Sequence, residues 1–165
     1  MSPRRAAFIV NPAAASGRGR ARWSELKAAF LQDHANAQVL FTKRPGDAVR
    51  LAQEAAPGSD VIVAVGGDGT VFEVASGLGL SGAHGTHFGI VPIGTGNDVA
   101  RQCGICDADR ARLALRGGCA RSLDVIRIQC RSGNAPVTRY AILYGAVGII
   151  SEVLRQTTPR VKRLF

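Results

Sequence analysis

A chain of 165 residues is long enough for one domain with a sizeable core and the start of a second. A hydrophobic content of 46% with 20 glycines suits an α/β protein rich in strand-to-helix turns, and a formal net charge of +9 attracts anions as a class: nucleotides, nucleic acid and acidic lipid headgroups. The longest nearly apolar run, Tyr140 to Ile150, falls well short of the roughly 20 residues of a membrane helix, which excludes a spanning segment.

Ala6 to Val10 reads as a first strand, stopped by the turn-forming pair Asn11-Pro12. After Arg4 and Arg5 this run is too short for the apolar core of a secretory leader, about 7–15 residues, so a cytoplasmic protein is expected. The loop from Ala13 to Arg20 joins small residues to cations at the strand's carboxyl end, the edge of an α/β sheet where ligands bind; it reads equally as a solvated basic loop. Trp23, Leu26 and Phe30 mark the buried stripe of a first helix, and Gln38 to Phe41 a second strand. Thr42 to Asp47 turns the chain into a helix with the stripe Ala48, Leu51, Ala52 and Ala55, which Pro57-Gly58 ends.

The stretch from Asp60 to Leu78 organises the rest. Val61 to Val65 is an apolar run rich in Val and Ile, as in a strand buried on both faces of a parallel sheet. Val71, Val74, Ala75 and Leu78 recur at helical spacing, so the segment is strand, glycine turn, helix. Gly66, Gly67 and Gly69 let the backbone approach a ligand closely, and the helix start offers unpaired N–H groups, which suits a phosphate. Asp68 in the middle would repel an anion unless a cation such as Mg²⁺ lies between them, which points to metal with nucleotide. Two plainer readings stand beside this one: the glycines make a tight turn capped by Asp68, and Thr70 with Glu73 forms a capping box.

Ser81 to His87 is a small-residue loop whose His84 and His87 read as exposed rather than as ligands or bases. Phe88 to Ile93 is a further strand, followed by Gly94-Thr95-Gly96-Asn97-Asp98 and a helix through Cys103, a second glycine turn built on the same plan. A helix from Asp107 to Arg116 has its cap at Asp107 and its stop at Gly117-Gly118. From Ala120 the βα rhythm stops: Leu123, Val125, Ile126 and Ile128 form a β segment, Arg131 to Asn134 a hairpin turn, and Val137 to Val147 a second β segment. A domain boundary is placed near Arg121, with an α/β domain over 1–120 and the truncated start of a β-rich second domain over 121–165. Cys103, Cys106, Cys119 and Cys130 have neither a disulfide framework's spacing nor a zinc site's second pair, and read as thiols.

With those residues in view, the chain resembles the diacylglycerol kinase catalytic-domain family, which includes bacterial lipid kinases and sphingosine kinases and shares its nucleotide fold more distantly with NAD kinases and phosphofructokinases. The resemblance rests on Val10-Asn-Pro with Ser16-Gly17, on Thr42 with Pro45 to Ala48, on Gly66-Gly-Asp-Gly-Thr70 and on Gly94-Thr-Gly-Asn-Asp98, in family order over about residues 6 to 130. It implies an open, mostly parallel sheet with helices on both faces, ATP at its carboxyl edge, and γ-phosphoryl transfer to the hydroxyl of diacylglycerol or a related lipid. By position, Asn11, Thr42, Gly66, Gly67, Asp68, Gly69, Thr70, Val71, Phe72, Gly94, Thr95, Gly96 and Asn97 would contact the nucleotide. Asp68 would lie near the phosphates and Mg²⁺, and Asp98 and Asp124 would help hold the ion indirectly, through water. The family's general base lies later in a chain about twice this length, so the base is expected beyond Phe165 and the 165 residues are expected to act weakly or not at all alone. Alternatives are an NAD kinase-like phosphotransferase and a non-catalytic nucleotide-binding module. Arg155, Arg160, Lys162 and Arg163 would give peripheral contact with anionic membrane, whereas no motif or aromatic interleaving supports nucleic acid.

Overall fold

The computed structural model describes residues 5–118 and 120–142. Four strands, β1 (Ala6–Val10), β2 (Gln38–Phe41), β3 (Val61–Gly66) and β4 (His87–Pro92), form one parallel sheet in the order β2-β1-β3-β4. β1 and β3 are buried along their whole length, which is why they read as unbroken apolar runs rather than alternating ones.

Alternate residues of each strand face opposite sides, so the sheet carries two cores. On one side Ala7, Ile9, Ile62, Ala64 and Ile90 meet α3 (Asp47–Ala55), α4 (Asp68–Ser81) and α5 (Asp98–Gln102). On the other, Phe8, Val10, Val63, Val65 and Val91 meet α2 (Gly19–Asp33) and α6 (Ala108–Gly117). The α2 stripe works through its aromatics: Trp23 and Phe30 pack with Phe8 of β1 in tilted and edge-on pairs, ring centroids 5.4–6.0 Å apart, each pair contributing about 0.5–1.5 kcal/mol beyond its burial. The α3 stripe of Ala48, Leu51, Ala52 and Ala55 is buried. A single turn, α1 (Ala14–Gly17), precedes α2, and a 3-10 turn, Ala56–Gly58, ends α3.

After α6 the chain forms a separate antiparallel pair, β5 (Ile126–Ser132) and β6 (Ala135–Ala141), around a turn at Gly133-Asn134 that Gly133 makes with φ +59°. This pair is the beginning of a second, β-rich unit. β6 starts two residues before the expected Val137, because the tight two-residue turn lets pairing resume at once. The Ser132–Ala135 pair closes it. The expectations placed on Cys119, on the later part of the β segment that ends at Val147, and on the basic tail with Arg155, Arg160, Lys162 and Arg163 lie outside the described residues.

Candidate functional site

β1 and β3 are neighbours whose chains depart in opposite directions: β1 leads through α2 to β2, whereas β3 lies on the far side of β1 and leads through α4 to β4. The intervening helices lie on opposite faces of the sheet. An open α/β sheet holds its ligands in the crevice outside the carboxyl ends of two such strands. Asn11 follows β1, and Gly67 to Thr70 follow the end of β3 at Gly66, so these of the sequence-predicted residues flank that crevice.

Asn11 ties the two strand ends together. Its backbone N–H donates to the Val65 carbonyl (2.9 Å), its Oδ1 accepts the Ala13 N–H (2.9 Å), and its Nδ2 donates to Thr70 Oγ1 (3.0 Å). Thr70 is 5% exposed, so this contact satisfies a hydroxyl that burial would otherwise leave costly. The capping-box reading of Thr70 and Glu73 therefore gives way: α4 begins at Asp68, two residues before Thr70, and Glu73 reaches away to another helix. Among the described residues no side chain caps α4, whose first N–H groups lack intrahelical partners.

Asp68 binds the second glycine turn to the first. Its Oδ1 accepts the Val99 N–H at 3.0 Å, at the start of α5, while its Oδ2 makes no hydrogen bond among the described residues. A side chain at Gly96 would begin 3.0 Å from that Oδ2 and 3.9 Å from an oxygen of Asp98, so both carboxylates border Gly96. Asp98 is also ion-paired with Arg101. Asn97, in the left-handed region at φ +57°, folds its amide back on Gly94, accepting its N–H (3.0 Å) and donating to its carbonyl (3.1 Å). Thr95 is exposed at the rim. Asp124 lies on the exposed segment before β5, and no hydrogen bond links it to these groups; among the described residues no three acid, histidine or cysteine side chains converge on a metal position.

The glycines serve different purposes. A side chain on Gly66 would overlap Thr70, one on Gly94 would overlap the Gly67 backbone, and one on Gly67 would begin 3.2 Å from Gly94 Cα: the two turns touch backbone to backbone. Gly69 has nothing within 4 Å of where a side chain would begin. Val71 faces the core, and its N–H goes to the Gly67 carbonyl.

Thr42 continues β2, its N–H bonded to the Val10 carbonyl (2.9 Å). The loop it opens is held at Asp47, a buried carboxylate accepting from the Arg50 guanidinium (2.8 Å) and the Lys43 N–H (3.0 Å), which hold its carboxyl below the usual carboxylate range. Glu73 secures the same loop from α4, accepting the N–H groups of Gly46 (3.0 Å) and Ala48 (3.3 Å). Sequence reading missed Arg22, whose Nη1 donates to the carbonyls of Ile93 (3.0 Å) and Gly94 (3.4 Å). A lone arginine on a helix gives no signal of a partner 71 residues away. In the basic loop, Arg18 folds onto the Ala15 carbonyl and Arg20 stacks 5.2 Å from the Phe41 ring centre. Ala15 and Ser16 there sit in the left-handed region, at φ +52° and +58°, followed by Gly17 at +94°.

Comparison with known proteins places this architecture. Residues 5–128 match the model of the diacylglycerol kinase catalytic domain. A diacylglycerol kinase of Bacillus subtilis (strain 168) is 35% identical over 125 residues, covering 74% of this chain and 41% of that protein. A probable lipid kinase YegS-like of Yersinia enterocolitica is 45% identical over 131 residues, covering 77% and 42%. The crystal structure of a diacylglycerol kinase from Bacillus anthracis superposes with a TM-score of 0.60 at 30% identity, over 76% of this chain and 42% of that one. The match thus spans about two fifths of the length of each of these two curated relatives. On the match of residues 5–128, which take in its sheet and its two glycine turns, the chain belongs to the diacylglycerol kinase catalytic-domain family.

Proposed function

We propose that this chain forms the nucleotide-binding part of an ATP-dependent lipid kinase, which moves the γ-phosphoryl of ATP to the hydroxyl of diacylglycerol or a related lipid. The observation that carries the reading is the start of α4 at the reversal between β1 and β3: an uncapped helix end beside Gly69, a glycine that nothing in the protein's own packing requires. A glycine in a helical turn costs about 0.5–1 kcal/mol relative to alanine, and a ligand that needs the space gives it a purpose.

In this reading the N–H groups at the start of α4 receive the phosphates, and Asn11 and Asp68 fix that start against β1 and α5. Thr42 and Thr95 border the nucleotide from the ends of β2 and β4. Oδ2 of Asp68, with no hydrogen bond among the described residues, suits Mg²⁺, which takes one or two carboxylates together with phosphate oxygens and water. Bound there, Mg²⁺ would offset charge on the transferring phosphoryl group. None of residues 5–118 and 120–142 is assigned as the base for the lipid hydroxyl. Asp98 borders the same space and, like Asp124, would act through water.

Titration calorimetry of the 165-residue chain with ATP and Mg²⁺ tests the reading. Saturable binding is expected, lost in Asp68→Ala. Absent binding, or unchanged binding in that variant, would overturn it. Membrane contact and cytoplasmic location belong to the same proposal; among the described residues no helix is long and apolar enough to cross a membrane.

A further inference from the structure

The geometry points to Glu73 as a positioning residue: we propose that it sets the nucleotide's affinity from outside the site, by fixing the loop that carries Thr42 to the helix that carries the glycine turn. This rests on the nucleotide reading above.

Both oxygens of one carboxylate are used, Oε1 by the Gly46 N–H and Oε2 by the Ala48 N–H, at the start of α3. That helix has no side-chain cap of its own, and Gly46 before it is left-handed at φ +83°. Glu73 therefore caps a helix from a neighbouring one, where a negative charge also answers the positive end of the helix dipole. The loop's other anchors include the Thr42 N–H on the Val10 carbonyl, the Lys43 N–H on Asp47 and the Asp47 N–H on the Arg44 carbonyl. Those tie it to β1 and to itself. Among the described residues the two Glu73 contacts are the hydrogen bonds that tie it to α4.

The functional consequence follows from the geometry of the helix. Glu73 lies five positions after Asp68 on α4, so the groups meeting Asn11, α5 and the Thr42 loop share one rigid segment. A ligand contacting both the start of α4 and Thr42 needs those two edges at a fixed separation. Small misplacements of binding groups cost up to about a hundredfold in function without any direct contact being lost.

The test is calorimetric titration of the 165-residue chain with ATP and Mg²⁺, in wild type, Asp68→Ala, Thr42→Ala, Glu73→Ala, Glu73→Gln and the Thr42→Ala/Glu73→Ala double variant. Glu73→Ala is expected to weaken ATP binding roughly tenfold. Glu73→Gln, keeping one acceptor oxygen, should lose less. Removing Thr42 should cost little more once Glu73 is gone, because the two act as a unit. A merely structural role would lower the melting temperature and leave the dissociation constant unchanged. Should the alanine variant fail to fold, the glutamine variant decides by the same titration. Wild-type affinity within twofold in a folded Glu73 variant, or additive losses in the double variant, overturns this inference while Asp68→Ala still speaks for the site. A wild-type chain that binds no ATP overturns the nucleotide reading and this inference together.

Discussion

Gly69 and Gly94 belong to similar motifs, yet the structure gives them opposite consequences when changed. At Gly69 there is open space, so Gly69→Ala is expected to stabilise the chain by about 0.5–1 kcal/mol, read by urea unfolding, while ATP binding falls sharply. At Gly94 a side chain would run into the Gly67 backbone, which has no rotamer to yield, so Gly94→Ala should destabilise the chain whether or not a nucleotide is present. Sequence alone could not separate these cases. Both glycines stand at the carboxyl end of a strand, and their difference is a matter of what faces them across a gap. The same limit applies to Thr70 and Glu73: their spacing matches a capping box, but each side chain has a distant partner, Asn11 for one and the start of α3 for the other.

Among the elements, α4 makes the most connections. Its first residue meets α5, its third meets Asn11, Glu73 meets α3, and Ser76 Oγ accepts the Tyr140 N–H of β6 at 3.0 Å. Small residues let these neighbours close in: Gly77 lies against Val49 and Ala52 of α3, and a side chain on Gly79 would begin 2.6 Å from the Tyr140 ring. The helix thus connects the crevice to the second, β-rich unit. Ser76→Ala should speed hydrogen exchange at the Tyr140 amide and leave exchange at the Asn11 amide, bonded to Val65, unchanged. Equal acceleration at both positions would mean that α4 transmits the loss along its length. The existence and type of these elements were legible because apolar period is local: 3.6 for α3, unbroken runs for β1 and β3. The docking of β6 on α4 was not, since it depends on one hydroxyl and on glycines that look like helix defects.

At the scale of the whole molecule, the succession of strands and helices follows from the alternation of motifs, and the parallel sheet with two covered faces was legible from the buried runs together with the family resemblance, though its spatial strand order was not. The cross-links between layers were not. Asp33 at the end of α2 accepts from Arg112 of α6 on the same face of the sheet, and the Arg112 guanidinium holds the Asp33 carboxyl below the usual carboxylate range. Asp47 is lowered in the same direction by Arg50 and the Lys43 N–H. A carboxyl with a depressed folded pKa binds fewer protons folded than unfolded, so its contribution is in place above the unfolded value near 4 and is lost as pH falls through the folded one. Melting temperature should therefore drop below about pH 4, and the drop should be shallower in Asp33→Asn, whose neutral side chain no longer titrates. An identical acid profile in that variant would remove Asp33 from the account.

The run of Ala15, Ser16 and Gly17 with positive φ has a dynamic consequence for the mouth of the crevice. For the two residues that carry a Cβ, the passage between left- and right-handed backbone crosses values that steric overlap forbids. This rim of the crevice can therefore rearrange only by flipping whole peptide units, switching between distinct shapes rather than sliding among them. Its exchange should then register as separate populations in a spectrum, not as a gradual drift with temperature.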